Sequence, residues 1–421
     1  MEFLASDALD GRGSGTRDEW ITATYLASQM RAYGLEPIGD DGGYVQTVGV
    51  QRTEVVGTPA LTAGTRRFEH GAEMLVVDLG SPAAAGVLRK FRPGMNAIRG
   101  DAYLMPEGVT PGDDGALKGA GMIFWRETPQ LHAMWESLRS RPLFVGRTRL
   151  VGIPLPPAEG PPSPVQILLN AAAYQVIAAM PEGTWMKFAA EAQETLSHTW
   201  NAVGRISGND PQQREQVILL TAHLDHLGEK DSGPDRIYNG ADDDASGTIA
   251  VLTLAQALAA GPRPKRSIVF ALFGSEEVGS IGARYFISRP TLPLESITAN
   301  LEFEMIGRSD AAVADHTLWL TGWERTNLGP ELARQGARLV ADPHPKEHFF
   351  MRSDNITLAR RGIVAQTVSS YGLHAQYHQP SDDISHIDFQ HMTESINSML
   401  GPVRWLANSG FKPAWVPGGR P

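Results

Sequence analysis

The sequence contains no cysteine. Disulfides, thiolate nucleophiles and cysteine-ligated zinc are therefore excluded, and a metal ion would have to be held by His, Asp and Glu. The sequence also lacks a run of about 18 apolar residues, so it predicts no membrane span. The formal net charge is -10, and no block of Lys or Arg offsets it. That balance argues against nucleic acid or an anionic membrane surface as the main partner.

The composition is that of a large globular chain. Of the 421 residues 42% are hydrophobic, and there are 44 glycines and 29 prolines, which implies a sizeable core and many turns. Residues 17–33 carry apolar side chains at helical spacing. Thr16 and Glu19 precede this stripe in a capping-box arrangement, and Gly34 follows it. The pattern predicts a helix over 17–33.

Strand and helix patterns alternate in the second half of the chain. Continuous apolar runs at 216–222, 267–273 and 297–305 are typical of strands buried on both faces. Residues 248–260 have a helical period and end at Gly261. Because alternating strands and helices favour a parallel sheet with helices on both sides, we expect a three-layer α/β/α sandwich around a mostly parallel mixed sheet.

The region between these parts has a different texture. Short apolar runs such as 74–77 and 122–125 are separated by turn residues, and six of the eleven residues in 154–164 are proline. The proline-rich segment predicts an extended loop. We therefore expect an inserted β-rich domain at 58–195, and a catalytic domain formed by 1–57 and 196–421.

Acidic residues and histidines cluster where the predicted strands end. The segments are His223-Leu224-Asp225, Asp242-Asp243-Asp244, Glu276-Glu277, Glu302 with Glu304, and Tyr377 to Asp382. Each segment alone has a simpler interpretation, such as a solvated loop, a helix N-cap or an exposed helix start. Five segments that deliver carboxylates or imidazoles to one sheet edge together predict a site for two divalent cations.

These motifs, in this order, resemble the M28 family of co-catalytic zinc peptidases, in the aminopeptidase group that carries an inserted protease-associated domain. The matching segments are 222–225, 240–247, 275–279, 304–307 and 377–382, together with 3–7, 11–15, 353–354 and 361–363. The resemblance rests on specific motifs over about 1–50 and 195–410. Over 58–195 it rests on the position and texture of the insertion.

The resemblance implies a ligand set. His223 and Glu304 would bind the first metal ion. Glu277 and His378 would bind the second, and Asp243 would bridge the two. Two Zn²⁺ ions per chain are expected, and carboxylate-rich sites of this kind also accept Co²⁺ or Mn²⁺.

The resemblance also implies three supporting roles. Glu276 would be the general acid and base. Asp225 would accept a hydrogen bond from the imidazole of His223 and hold its tautomer. Tyr377 would donate to the oxyanion, although packing against a ligand is the alternative for this residue.

Several neighbours are expected to have other roles. Many relatives have aspartate at the position of Glu304, which leaves Glu302, two residues earlier, as the alternative ligand. Asp242 and Asp244 are interpreted as loop or capping acids. The histidines expected not to bind metal are His226, His374 and His386.

The implied activity is that of a metallo-aminopeptidase, an exopeptidase that removes N-terminal residues from peptides through a water shared by two zinc ions. Its partners would be peptides with a free N-terminus. The alternatives are a carboxypeptidase or dipeptidase on the same scaffold, a single-zinc acyltransferase like glutaminyl cyclase, and a non-catalytic receptor-like module. Relatives are mostly exported, so a secreted or periplasmic location is expected. The cytoplasm is the alternative, because the first residues lack a leader pattern.

Overall fold

The computed structural model describes residues 1–109, 117–133, 135–139, 143–146, 148–153, 163–230 and 233–421. It divides into two compact units. The first, here called the sheet unit, combines Met1–Gly49 with His198–Pro421, and the second, the inserted unit, is Val50–Ser197. The boundary expected after residue 57 falls inside the strand Val45–Ala63. The protease-associated character of the inserted unit stays a prediction.

The elements are numbered here in chain order. The helices are α1 (Arg17–Ala32), α2 (Pro129–Ala133), α3 (Trp135–Arg139), α4 (Ala171–Ala179), α5 (Gly247–Ala259), α6 (Ile281–Ser288), α7 (Leu328–Arg334), α8 (Asn355–Ala359) and α9 (Phe389–Asn408). The strands are β1 (Glu36–Pro37), β2 (Val45–Ala63), β3 (Arg66–Glu69), β4 (Met74–Asp78), β5 (Ala83–Lys90), β6 (Ala102–Leu104), β7 (Met122–Arg126), β8 (Arg149–Leu150), β9 (Val165–Leu169), β10 (Trp185–Ile206), β11 (Val217–His223), β12 (Gly228–Glu229), β13 (Ile237–Tyr238), β14 (Ser267–Phe273), β15 (Ile297–Phe303), β16 (Leu318–Leu320), β17 (Leu339–Ala341) and β18 (Ala365–Ser369). Among the described residues, no helix is both long and apolar enough for a transmembrane segment.

The sheet unit is built on a mixed sheet with a parallel centre. Its strands follow the order β17-β16-β18-β15-β11-β14-β10. Strand β11 pairs in parallel with β14 on one side and with β15 on the other, and β15 pairs in parallel with β18. Strands β10 and β16 run antiparallel to their neighbours β14 and β18. The three predicted strands therefore lie side by side and point the same way.

Hydrophobic cores cover both faces of this sheet. Alternate residues of a strand point to opposite faces. In β11, Ile218 and Leu220 belong to the core that includes residues of α1, α5, α7 and α9, whereas Val217 and Leu219 belong to the core with residues of α6 and α8. The predicted three-layer arrangement is confirmed, since the continuous apolar runs reflect burial on two faces.

The inserted unit has its own group of paired strands and its own core. Strands β5, β6, β7 and β9 pair in parallel in that order, and β4 adds antiparallel to β9. The apolar runs at 74–77 and 122–125 form β4 and β7, as predicted. The predicted proline-rich loop at 154–164 falls largely outside the described residues. A separate hydrophobic core supports this unit.

Helix α1 begins and ends as predicted, but its capping-box glutamate has a different partner. Thr16 accepts a hydrogen bond from the Glu19 amide, and Gly34 has a positive φ of 77° after the last turn. The Glu19 carboxylate is fully buried. One oxygen accepts from the Gly15 amide at 2.8 Å, and the other accepts from the hydroxyls of Thr199 at 2.6 Å and Ser275 at 3.1 Å. Glu19 therefore joins the start of α1 to the segment that follows β14.

Replacing Glu19 by Gln should flatten the pH dependence of stability in metal-free protein. Burial raises the pKa of Glu19 to about 8 from an ordinary value of 4.5. The folded protein therefore keeps a proton that the unfolded chain releases, and stability falls as the pH rises from about 5 to about 8. We expect the unfolding midpoint of Glu19→Gln to fall less than that of wild type over this range.

The matched control for this experiment is Glu215→Gln, which neutralises a side chain that is 86% exposed. Its midpoint should follow the wild-type curve. Parallel curves for Glu19→Gln and wild type would contradict the assigned ionisation of Glu19.

Candidate metal centre

The carboxyl ends of the parallel strands deliver the acidic and imidazole side chains. His223 is the last residue of β11, Glu276 and Glu277 follow β14, and Glu304 follows β15. Asp243 comes from the turn Ala241–Ser246 that leads into α5. Functional groups gather at such a strand edge because the chain leaves the sheet there in loops.

Two groups of side chains at this edge could each hold a metal ion. In the first group, ligand atoms of His223, Asp243 and Glu304 all lie within 4.8 Å of one another. His223 Nε2 is 3.1 Å from Asp243 Oδ1, yet this buried nitrogen makes no hydrogen bond to any described residue. A buried polar nitrogen without a partner is costly, and a bound cation would satisfy it. The nitrogen and oxygen donors fit Zn²⁺.

The second group consists of His226, Asp243 and Glu277, and the predicted ligand His378 lies beside this group. His378 Nε2 lies 3.1 Å from Asp243 Oδ2 and 3.3 Å from Glu277 Oε2. His226, which the sequence had suggested was not a ligand, is part of this group: its Nδ1 lies 2.7 Å from Glu277 Oε1, and ligand atoms of His226, Asp243 and Glu277 fall within 4.8 Å. Two histidines therefore reach the Asp243–Glu277 pair. In the sequence, the position of His226 three residues after His223 was the feature that could have indicated its approach to this site.

The charges of these groups are strongly coupled. Burial opposes ionisation of Asp243, but His223 and His378 outweigh it and hold the pKa of Asp243 well below its ordinary range. Burial raises the pKa of Glu304 to about 7, with a further contribution from Asp243. Burial also raises the pKa of Glu276 well above its ordinary value. A carboxyl group with a raised pKa is suited to carry a proton at neutral pH.

Asp225 supports the site by a route that differs from the prediction. His223 Nδ1 lies 3.2 Å from the main-chain oxygen of Asp225 and 3.7 Å from its carboxylate. The carboxylate instead accepts from the amides of Glu276 at 2.9 Å and Glu277 at 3.4 Å, and from the hydroxyl of Ser14 at 2.5 Å. Asp225 thus holds the turn that carries Glu276 and Glu277, because backbone amides at this turn need an acceptor.

The outer aspartates of the triplet are buried, and they bind the backbone of other segments. Asp244 accepts from the amides of His223 at 3.2 Å, Gly247 at 3.0 Å and Met305 at 3.1 Å. The expectation of a loop or capping acid describes only the bond to Gly247, at the start of α5. The bonds to His223 and Met305 join two strand ends, and no local pattern predicts them.

Asp242 and Asp382 complete this backbone scaffold. Asp242 Oδ1 accepts from the amide of Gly307 at 2.7 Å, and its Oδ2 lies 2.9 Å from His374 Nε2. Asp382 Oδ2 accepts from the amides of Asp242 at 3.1 Å and Asp243 at 3.0 Å. The carboxylates around the candidate ligands therefore bind main-chain donors.

The remaining candidates lie in other environments. Glu302 Oε2 accepts from the Asn355 amide at 2.7 Å, and Glu302 belongs to neither group. His374 pairs with Asp242, and His386 Nδ1 lies 3.1 Å from Asp383.

A pocket adjoins the first group. Glu304 lies in its wall with aromatic residues, among them Trp319, Phe349 and Tyr377. The rings of Trp319 and Phe349 stack with centroids 5.4 Å apart, and the ring of Tyr377 stacks on His378 at 3.9 Å. Burial and the nearby carboxylates raise the pKa of Tyr377, which keeps its hydroxyl protonated as a donor. The pocket wall thus combines aromatic rings with a candidate ligand and with the polar side chains of Thr321, Arg352, Thr367 and Ser369.

The sequence of this region matches a known peptidase family. The sequence model of peptidase family M28 matches residues 201–401, the stretch that contains both ligand groups. Residues 201–401 belong to peptidase family M28. The first curated relatives align over shorter stretches: leucine aminopeptidase 2 of Trichophyton rubrum is 32% identical over 115 residues, which cover 27% of this chain and 21% of that protein. The chain thus spans about a fifth of the length of those relatives.

Other comparisons extend further along the chain. Leucine aminopeptidase 1 of Paracoccidioides brasiliensis is 24% identical over 231 residues, 51% of this chain and 58% of that protein. Among solved structures, an aminopeptidase from Aneurinibacillus has a TM-score of 0.63 at 17% identity and covers 97% of this chain and 92% of its own. A zinc aminopeptidase from Bacillus subtilis has a TM-score of 0.59 at 18% identity and covers 98% and 94%. At such low identity these structures establish the fold.

Proposed function

We propose that this M28 protein is a metal-dependent aminopeptidase that removes N-terminal residues from peptides through a site for two zinc ions. The observation that carries the proposal is the sharing of Asp243, whose Oδ1 faces His223 and whose Oδ2 faces His378. A carboxylate with an imidazole on each oxygen is suited to bridge two cations.

The proposed ligands are arranged around that carboxylate. His223 and Glu304 would complete the first metal position, and Glu277 and His378 the second. His226 would donate from Nδ1 to Glu277 Oε1, at the observed 2.7 Å, and so orient a ligand. Zinc bound in such a site acts as a Lewis acid toward the substrate carbonyl and lowers the pKa of water.

Glu276 is the proposed general base and acid. It would accept a proton as a water oxygen attacks the carbonyl carbon of the first peptide bond, and it would return the proton to the leaving nitrogen as the carbon–nitrogen bond breaks. Asp225 supports this role because it accepts the Glu276 amide hydrogen bond. Tyr377, with its raised pKa, would donate to the developing oxyanion.

The pocket beside Glu304 supports a preference for apolar N-terminal residues. Its aromatic wall includes Trp319, Phe349 and Tyr371. An apolar side chain gains about 25 cal/mol for each Å² of surface that it buries there. Relatives that carry the name leucine aminopeptidase are in keeping with this preference.

The first prediction from this proposed function is metal-dependent release of N-terminal residues. Zinc-loaded protein should hydrolyse leucine p-nitroanilide and free-amino peptides. N-acetylated and C-terminal reporter substrates should remain intact. A chelator should abolish the activity, and added Zn²⁺ should restore it. Elemental analysis should give two zinc ions per chain.

One zinc ion per chain with cyclisation of N-terminal glutamine would instead support the cyclase alternative. Cleavage of C-terminal substrates alone would contradict an aminopeptidase.

The second prediction concerns Glu276→Gln. The amide has the shape of the carboxylate but accepts no proton, so kcat should fall by at least about 100-fold. Zinc content should stay at the wild-type value, because the proposed ligands are unchanged. The control is Glu295→Gln, an exposed residue before β15, which should keep full activity. Wild-type kcat in Glu276→Gln would remove this residue from the mechanism.

The third prediction separates the two histidines near Glu277. His378→Ala should bind one zinc ion per chain where wild type binds two, because it removes a proposed ligand. His226→Ala should still bind two and have weaker affinity at one position, as expected for loss of an orienting hydrogen bond. Elemental analysis after dialysis against buffered zinc measures both. The reverse pattern would show that His226 is the ligand.

A further inference from the structure

Arg12 is a buried cation close to the candidate metal centre. Its side chain is 1% exposed and donates to four main-chain oxygens. Nε donates to Leu224 at 3.1 Å, Nη1 to Leu4 and Asn239 at 2.5 Å each, and Nη2 to Gly240 at 3.0 Å. The planar guanidinium presents five donors in a fixed geometry, so it holds these carbonyls at set distances from each other.

Three of the four acceptors belong to the two segments that carry candidate ligands, and the fourth, Leu4, lies in the N-terminal segment. Leu224 directly follows His223, and Gly240 lies three residues before Asp243. Gly240 has a left-handed φ of 56°, and a Cβ at this position would lie 2.2 Å from the main-chain oxygen of Asp243. The turn that leads to Asp243 is therefore tightly built. One guanidinium connects this turn to the end of β11.

The charge of Arg12 is matched to the acidic site rather than to a single partner. Its four hydrogen bonds go to neutral carbonyls, and the carboxylates that act on it electrostatically are Asp225, Asp243, Asp244 and Asp382. Taking an arginine out of water is costly, and it needs both hydrogen bonds and compensating charge. An anionic site supplies that compensation, and the backbone carbonyls supply the hydrogen bonds.

We propose that Arg12 is a positioning residue of the metal centre, which sets the spacing between the segment that carries His223 and the turn that carries Asp243. The inference rests on the proposed function, because it concerns the affinity and geometry of a metal site in that function. It adds a residue more than 200 positions away in the sequence, outside the ligand motifs.

Arg266 provides a matched control in the same unit. It is also 1% exposed, and it donates to Gln216 at 2.9 Å and to the main-chain oxygens of Leu406 at 3.0 Å and Phe411 at 2.7 Å. Arg266 precedes β14, whereas the metal centre lies beyond the opposite end of that strand. Loss of a buried guanidinium at Arg266 should therefore affect stability without affecting the metal site.

The test compares Arg12→Lys with Arg266→Lys in the metal-free protein. Lysine keeps the charge but has one nitrogen, which does not span the four carbonyls. Arg12→Lys should weaken Zn²⁺ binding by about tenfold to a hundredfold and change the d–d absorption spectrum of bound Co²⁺. Arg266→Lys should bind Zn²⁺ like wild type and give the wild-type Co²⁺ spectrum, even where its unfolding midpoint falls as far. Wild-type zinc affinity and Co²⁺ spectrum in Arg12→Lys would overturn the proposal.

A measurement on the wild-type side chain covers the case in which Arg12→Lys does not fold. Protein labelled with ¹⁵N-arginine should have slowly exchanging Nε–H signals from Arg12 and Arg266, the two buried arginines among the described residues, and the signal lost in Arg266→Lys identifies Arg266. Addition of Zn²⁺ should shift the signal of Arg12 and leave that of Arg266 in place. An unmoved Arg12 signal would overturn the inference.

The failure of this inference and the failure of the proposed function are distinguishable. If the wild-type protein binds no Zn²⁺, the proposed function fails as well. If the wild-type protein binds zinc and is active, and Arg12→Lys is unchanged in both respects, only the role of Arg12 is rejected.

Discussion

The carboxylate of Asp243 is the interaction on which the rest of the site depends. One of its oxygens faces His223 and the other faces His378, so a single side chain links the two ligand groups. Asp243 therefore has to be held from several directions. Its amide donates to Asp382, and the turn that contains it is tied through Gly240 to Arg12.

The surrounding carboxylates explain how so much negative charge is accommodated in a buried place. Asp225, Asp244 and Asp382 accept hydrogen bonds from backbone amides of the segments that carry the candidate ligands. Hydrogen bonds of this kind favour the charged form of a carboxylate and fix its position. Burial still outweighs these hydrogen bonds, because it raises the pKa of Asp244 well above its ordinary value, that of Asp382 to about 6 and that of Glu304 to about 7. Divalent cations at this place would offset that cost of burial.

The N-terminal segment has a larger part in the site than its distance in the sequence suggests. Arg12 contacts the ends of two ligand-bearing segments, Ser14 contacts Asp225, and Glu19 contacts Ser275 directly before Glu276. Three side chains within eight positions thus reach three different parts of the candidate centre. The same segment resembles the start of M28 enzymes, and these contacts give that resemblance a physical meaning.

Much of the fold and the place of the site were predictable from local patterns. The apolar runs at 216–222, 267–273 and 297–305 are strands because burial on two faces requires continuous apolar sequence, and acidic residues after parallel strands meet at one edge by geometry. Other features depended on the tertiary structure: the approach of His226 to Glu277, the backbone partners of Asp225 and Asp244, and the contacts of Arg12 and Glu19. The long-range hydrogen bonds among these features join residues from 21 to 256 positions apart. The residues next to a side chain in the sequence do not indicate such a partner, because only the packing of the sheet brings the two residues together.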